Sequence, residues 1–160
     1  MTDVELTDLI ERHPARGHIS VACVKAFCMA ESSCNPWAYR YEPFYKYLVG
    51  NKLTMTATER AGQMSSWGLM QVMGGVAREY GFSGSFPQLC DPVIALRYGM
   101  MHLAHFYKQH GNWPDAIASY NAGSPRRDDG GKYVNQPYVD NILKWWSEFE
   151  SHVDIKTSEV

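Results

Sequence analysis

An almost uninterrupted apolar segment, ISVACVKAFCMAE, constrains the fold of this 160-residue chain more than any other feature. Apolar residues in the chain return every three or four positions, without the two-residue alternation of half-buried strands. We therefore predict a helix from about His18 to Ser32, buried at the centre of the domain and ended by Asn35-Pro36. The C-terminal end of this buried helix carries a carboxylate, Glu31.

The remaining pattern predicts a mostly α-helical fold, with Asp91-Pro92 and Asn112 as helix starts and Gly111 and Gly123 as helix ends. The stretch KLTMTATERAGQMSS is predicted as a polar connection, and the final DIKTSEV as a frayed tail. The other predicted helices are Val4 to Arg12, a short helix after Pro43, LMQVMGGVAREYG after Gly68, the helix from Pro92, the helix through DAIASYNAG, and Pro137 to Phe149.

Length and charge limit the classes of protein to consider. A chain of 160 residues has room for one domain with one core, and no apolar run is long enough for membrane insertion. We expect a soluble monomer. The net charge of −2 offers no positive field for nucleic acid, and Arg126-Arg127 is followed at once by Asp128-Asp129, which indicates a solvated loop. Nucleic acid is therefore not an expected partner.

The cysteines and histidines give no reason to predict a metal site. The spacings of the four cysteines match no zinc pattern, and Cys23 and Cys28 are expected to be small core residues. His102 and His105, three apart on one predicted helix, lack a third ligand nearby. The N-terminal MTDVELTDLIERHP has no basic flank or apolar region that directs export, so we expect synthesis in the cytoplasm and reduced thiols.

Glu31 is the first candidate for chemistry. Burial at the end of an apolar helix, together with the negative end of the helix dipole, disfavours its ionised form and should raise its pKa. Such a carboxyl group can hold a proton near neutral pH and donate it to a leaving oxygen. The competing interpretation is a polar helix end that reaches water.

Three strings in order, ESSCNP from Glu31, GLMQ from Gly68 and ASYNAG from Ala118, resemble the signature of the soluble lytic transglycosylase family. Asp91-Pro92 and Tyr138-Val139 also fall where that family has them, and the resemblance covers roughly residues 18 to 146. It implies a single all-α, lysozyme-like domain, related to goose-type lysozyme. It also implies an enzyme that cleaves peptidoglycan glycan strands without a metal or organic cofactor.

By this resemblance, Glu31 corresponds to the catalytic glutamate, which first protonates the glycosidic oxygen and then serves as base. The bond cleaved is the β-1,4 link between N-acetylmuramic acid and N-acetylglucosamine. The C6 hydroxyl of the muramic sugar closes on its own C1 and leaves a 1,6-anhydro end, so no water attacks. One carboxylate can then suffice where most glycosidases need two.

The resemblance also implies substrate-binding positions around Glu31. Gly68 would let the backbone approach a sugar, Met70 would contact a sugar face, and Gln71 would hydrogen-bond to substrate or to neighbours. Alternatives are a core role for Met70 and a helix-end role for the tyrosine and asparagine of ASYNAG. The other implied positions are Tyr120, Asn121 and Tyr138, and Ser66 beside the GLMQ string is a further candidate for substrate binding.

Aromatic side chains suit carbohydrate because the axial C–H groups of a pyranose pack on a ring face. Trp67, Tyr39, Tyr41 and Tyr133 are candidates for the walls of sugar subsites, with ordinary packing as the alternative for each. Trp145-Trp146 is assigned to the core.

Two departures from the family pattern leave other functions open. Ser65-Ser66-Trp67 stands where the family usually has a glycine and an alanine, so the subsites are expected to differ in shape. The string RYEPFY from Arg40 looks like a feature of phage-encoded wall-degrading enzymes. A peptidoglycan substrate outside the cytoplasm, combined with an N-terminus that does not direct export, suggests a phage lysis enzyme, a virion component or part of a wall-crossing machine. Glu42 within RYEPFY could activate water as the second carboxylate of a hydrolytic muramidase, or instead pair with Arg40 or cap the short helix after Pro43. An inactive peptidoglycan-binding module is the third possibility.

Overall fold

A computed structural model describes the backbone of residues 1–157 and the side chains of residues 1–151. Within this part the chain is mostly helical, as predicted, and none of its helices is long and apolar enough to cross a membrane. The helices are α1 (Asp3–Arg12), α2 (Val21–Ser32), α3 (Ala57–Gln63), α4 (Gly74–Glu79), α5 (Pro92–His110), α6 (Trp113–Ala122) and α7 (Gln136–Thr157), with 3₁₀ turns at Pro14–Arg16 and Phe86–Cys90. The strands are β1 (Tyr39–Tyr41), β2 (Ser65–Trp67) and β3 (Val72–Met73).

Helix α2 is the buried centre that the apolar segment predicts. It begins three residues later than expected because the Ser20 side chain accepts from the backbone N–H of Cys23 and caps the helix there. Seven consecutive residues from Ala22 to Cys28 are buried, and α2 packs most extensively against α7. Ser33 and Cys34 both have left-handed backbones that end the helix, just beyond Glu31.

Helices α5 and α6 begin and end where their local signals predict. The Asp91 side chain accepts from two backbone N–H groups of the first turn of α5, and the Asn112 side chain caps α6 by accepting from the backbone N–H of Asp115. Gly111 and Gly123 end the two helices in left-handed conformations. Cys23 and Cys28 are buried in the core, as predicted, and all four cysteines are free thiols.

A small antiparallel sheet, in the order β1-β2-β3, lies between α2 and α5, and none of its strands was predicted. The predicted short helix after Pro43 is wrong, because residues 42–50 form no helix. The predicted helix after Gly68 is wrong in its first half, where a turn and β3 precede α4. Conversely, α3 lies in the predicted polar connection, because Thr56 caps it by accepting from the backbone of Glu59.

The last helix runs further than predicted. Helix α7 extends beyond Phe149 to Thr157, so the first four residues of the expected tail DIKTSEV are helical. The last three residues of that tail lie outside the described residues. Trp145 and Trp146, predicted in the core, pack against the core cluster but are only partly buried.

Candidate active site

A cleft of about 790 Å³ opens beside the C-terminal end of α2. It contains six of the nine residues that sequence analysis assigned to a site; Gly68, Met70 and Tyr138 do not line it. The lining residues are Glu31, Arg40, Glu42, Phe44, Tyr45, Tyr47, Ser66, Gln71, Met73, Val76, Glu79, His102, Tyr120, Asn121, Ala122, Gly123, Ser124 and Arg126.

Glu31 is half-buried in this cleft, and its environment favours the protonated form. Burial raises the pKa of its carboxyl group to about 7, while a hydrogen bond from Tyr138 and the positive charge of Arg40 partly oppose the rise. Near neutral pH the group is therefore present in both protonation states. A carboxyl group in this condition can donate a proton and later accept one.

Tyr138 contacts Glu31 through a hydrogen bond and does not itself line the cleft. Its hydroxyl donates to Oε1 of Glu31 at 2.5 Å from the first turn of α7. Burial and the nearby carboxylate raise the pKa of Tyr138 well above its usual range, so the hydroxyl keeps its proton and remains a donor. Tyr138 does not line the cleft and its hydroxyl is bound to Glu31, so its contact with substrate stays a prediction.

Replacing Tyr138 by Phe is expected to raise the pKa of Glu31 from about 7 to about 8, because the carboxylate loses a stabilising donor. Carbon-13 NMR titration of the Glu31 carboxyl group would measure the change. Tyr120→Phe is the control, since the Tyr120 hydroxyl donates to the Met70 carbonyl and not to Glu31. An unchanged or lower pKa in Tyr138→Phe would show that the hydroxyl does not stabilise the anion.

Gln71 and Ser66 both line the cleft and are joined to each other. Ser66 donates to Oε1 of Gln71 at 2.9 Å, and Nε2 of Gln71 donates to the carbonyls of Ala38 and Gly68. Both donors of the Gln71 amide are therefore used within the protein. Gln71 also has a positive φ of 47°, a conformation that these bonds help to fix. This network ties strand β2 and the residue before β1 to the turn before β3.

Two predicted sugar contacts in the GLMQ string are wrong. Met70 is fully buried, and a Cβ on Gly99 would lie 2.4 Å from its sulfur, so Met70 is the core residue of the alternative interpretation. Gly68 is buried as well, and a Cβ there would lie 2.3 Å from the carbonyl oxygen of Leu89. Close packing of the protein on itself requires glycine at position 68, and Gly68 does not line the cleft.

Tyr120 and Asn121 line the cleft while making structural bonds. The Tyr120 hydroxyl donates to the Met70 carbonyl at 2.8 Å, and Glu31 lies near enough for its charge to raise the pKa of Tyr120 further beyond the effect of burial. Asn121 accepts from the side chain of Asn135 at 3.0 Å, which joins α6 to the segment before α7. Both residues connect the cleft to the surrounding helices.

The four aromatic residues predicted as subsite walls do not line the cleft. In the β1–β2 ladder Arg40 pairs with Ser66, and this pair faces the cleft, so the neighbouring pair of Tyr39 and Trp67 lies on the opposite face of the sheet. Tyr133 is buried under the guanidinium of Arg127. Tyr41 is exposed and is also absent from the cleft lining.

The cleft is instead lined by aromatic residues that the sequence analysis did not select. Phe44, Tyr45 and Tyr47, from the segment where a helix was predicted, line the cleft. Sequence analysis missed them because it assigned this segment to a helix. The dense run of aromatic residues in EPFYKY is the signal that could have identified them.

Glu42 lies in the same cleft as Glu31, as the second-carboxylate hypothesis requires. Nε of Arg40 lies 2.5 Å from Oε1 of Glu42, so the predicted alternative, an Arg40–Glu42 ion pair, is confirmed. Arg40 thus places one positive charge near both carboxylates, because it also lowers the pKa of Glu31.

His102 is a cleft residue to which sequence analysis gave no substrate role. Its Nδ1 lies 3.2 Å from the Tyr80 hydroxyl, and burial lowers the pKa of the imidazole to about 4, so the ring is neutral. His105 also packs against Tyr80. Among the described side chains, no three His, Cys, Asp or Glu residues are arranged to hold a metal ion.

A family model described as the transglycosylase SLT domain matches residues 8–142 of the chain. The matched region contains all three sequence motifs and every residue that lines the cleft. Searches of curated proteins and of solved structures found no match.

Proposed function

We propose that this chain, which belongs to the transglycosylase SLT family, is a peptidoglycan lytic transglycosylase with Glu31 as acid and base. The domain of that family has the lysozyme-like fold that the three motifs imply. The observation that carries the proposal is a half-buried carboxyl group with a pKa of about 7 in an open cleft. Glycan strands with alternating N-acetylmuramic acid and N-acetylglucosamine are the proposed substrate.

The hydrogen bond from Tyr138 supports a division of work between the two oxygens of Glu31. Oε1 accepts from Tyr138, so the proton of the acid form belongs on Oε2. Oε2 donates this proton to the glycosidic oxygen as the bond to C1 of the muramic sugar breaks. The carboxylate left behind is stabilised by Tyr138 and by the positive charge of Arg40.

The second step returns the proton to Glu31. The C6 hydroxyl of the same muramic sugar attacks C1, and its proton passes to the Glu31 carboxylate as the 1,6-anhydro ring closes. No water is consumed, and the enzyme regains its starting protonation state. A pKa near the working pH suits both directions of transfer, because neither form of the group is rare.

A hydrolytic muramidase is the second candidate, favoured by one observation: Glu42 lies in the same cleft as Glu31. A water molecule activated by Glu42 would attack C1 from the other side and leave a reducing end. The Arg40–Glu42 ion pair counts against this role, because one oxygen of Glu42 is already bound to the guanidinium.

Mass spectrometry of the muropeptides released from purified peptidoglycan would distinguish these reactions. We expect wild type and Glu42→Gln to release the same anhydro-ended products, one water lighter than hydrolytic products and resistant to borohydride. The rate of Glu42→Gln should stay within about threefold of wild type, because a partly exposed ion pair contributes little.

Other products would overturn the proposal in different ways. Reducing ends that disappear in Glu42→Gln would establish hydrolysis with Glu42 as the second carboxylate. Reducing ends that persist in Glu42→Gln would indicate hydrolysis with water held by another residue. No release by wild type would favour a peptidoglycan-binding module without activity.

A further inference from the structure

Residues 42–49, here called the aromatic strap, border the cleft without forming a helix or strand. Phe44 and Tyr47 are 87% and 74% exposed, yet both line the cleft that holds Glu31. Aromatic rings exposed inside a cleft offer apolar faces on which a ligand can pack. The strap therefore adds an apolar wall to an otherwise largely polar site.

The aromatic strap is fastened at both ends by hydrogen bonds to the end of α3 and the residue after it. The backbone N–H of Glu42 donates to the Met64 carbonyl at 2.7 Å. At the other end, Gln63 accepts from the N–H of Val49 at 2.7 Å and donates to its carbonyl at 2.9 Å. The buried Gln63 amide thus pairs with Val49 as a neighbouring strand would.

The middle of the strap rests on the start of α4. A Cβ on Gly75 would lie 2.6 Å from the Tyr47 carbonyl oxygen and 2.8 Å from the ring of Tyr45. The rings of Tyr45 and Tyr47 meet edge to face with centroids 5.7 Å apart. The packing on α4 and the two fastened ends fix the strap backbone, while the rings of Phe44 and Tyr47 remain largely exposed in the cleft.

Gln63 connects the strap to a network between two helices. Nε2 of Gln63 also donates to Oε1 of Glu59 at 2.9 Å. Two nitrogens of the Arg78 guanidinium, on α4, donate in turn to the Glu59 carboxylate. In this ion pair the Arg78 side chain is largely shielded from solvent, and the Glu59 side chain is about one-third exposed. The position of the strap is therefore determined jointly by α3 and α4.

We propose that Phe44 and Tyr47 form a stacking platform for pyranose rings of the glycan strand, and that Gln63 is the positioning residue of this platform. The identity of the glycan rests on the proposed function; the platform itself rests on the exposure of the two rings, their place in the cleft and the fastened strap. Pyranose rings suit it because their C–H faces pack on aromatic rings and their hydroxyls stay hydrated.

Isothermal titration calorimetry with chitohexaose, and with glycan strands stripped of stem peptides, tests the platform. In a Glu31→Gln background, Phe44→Ser and Tyr47→Ser are each expected to raise Kd by about 5- to 30-fold. Trp37→Ser is the matched control, because Trp37 is 75% exposed and does not line the cleft. Its Kd should equal that of the parent.

These measurements distinguish failure of the proposed platform from failure of the proposed catalysis. An unchanged Kd for both strap variants, or no binding of either probe by the parent, would overturn the platform even if the wild type cleaves peptidoglycan. Weakened binding together with a wild type that releases nothing would support the platform and reject the proposed catalysis.

Gln63→Met tests the positioning role in the otherwise wild-type chain. Methionine fills a similar volume but leaves the N–H and carbonyl of Val49 unpaired. With soluble glycan strands, KM should rise by about tenfold while kcat stays within about twofold, and trypsin should cut faster after Lys46. A lower kcat at unchanged KM, or an unchanged trypsin rate in a protein that stays folded, would overturn the role of Gln63.

Discussion

Replacing Glu31 by Gln is expected to lower muropeptide release by about a thousandfold or more, because the amide can neither give nor take the proton. The substitution is nearly isosteric, and the Gln side-chain oxygen can still accept the hydrogen bond from Tyr138. The cleft should therefore keep its shape, and glycan binding should survive. This separates loss of chemistry from loss of fold.

The same substitution is expected to stabilise the protein at alkaline pH. The pKa of Glu31 is about 7 in the folded state against an ordinary 4.5, so the folded state binds more protons between these values. The favourable contribution of the protonated carboxyl group is complete below about pH 4.5 and is lost as pH rises through about 7. Above that range the buried anion costs about 3 kcal/mol, which the neutral amide avoids.

Urea unfolding at about pH 5 and about pH 8.5 would measure this effect. At the higher pH, Glu31→Gln should exceed wild type in free energy of unfolding by up to about 3 kcal/mol, and at the lower pH the difference should shrink. The exposed Glu11→Gln on α1 is the control and should change neither activity nor stability.

The two measurements test different statements about Glu31. Retained activity in Glu31→Gln would remove it from the catalytic role. Lost activity without the pH-dependent gain in stability would keep it catalytic but contradict the raised pKa. A loss of stability at both pH values would mean that the amide cannot replace the carboxyl group in the bond to Tyr138.

The helices that sequence analysis predicted correctly are those with local signals. Helix α5 follows Asp91 and stops at Gly111, and α6 lies between Asn112 and Gly123, because a cap depends on bonds between residues two to four apart. The strands of two or three residues were missed, because a strand this short has no alternation to detect. The strap after Pro43 was mistaken for a helix, because its partner Gln63 is remote in sequence.

The same contrast applies to the site. Glu31 could be identified from an apolar helix and an ordered set of motifs. Its hydrogen-bond partner Tyr138 lies 107 residues away, and no periodicity shows that α7 brings a hydroxyl to that carboxylate. The motifs also identify positions without showing where each side chain points. Met70 and Gln71 are adjacent, yet Met70 is in the core and Gln71 lines the cleft.

Gly68→Ala is expected to lower the free energy of unfolding by about 3–5 kcal/mol, from two separate causes. The backbone at position 68 has a φ of +69°, which costs an L-residue about 1 kcal/mol. The new methyl group would also lie 2.3 Å from the carbonyl oxygen of Leu89, a backbone atom that cannot rotate away. The remaining loss comes from the shift needed to relieve this contact.

Gly111→Ala is the matched control, because Gly111 has nearly the same backbone, with a φ of +71°, and no atom within 4 Å of the added methyl group. It should cost only about 1 kcal/mol, so the difference between the two variants in urea unfolding isolates the contact with Leu89. Equal losses would contradict that contact. If Gly68 instead served the approach of a sugar, its variant would lose glycan binding while losing no more stability than Gly111→Ala. Close packing instead predicts activity that falls only with the folded fraction.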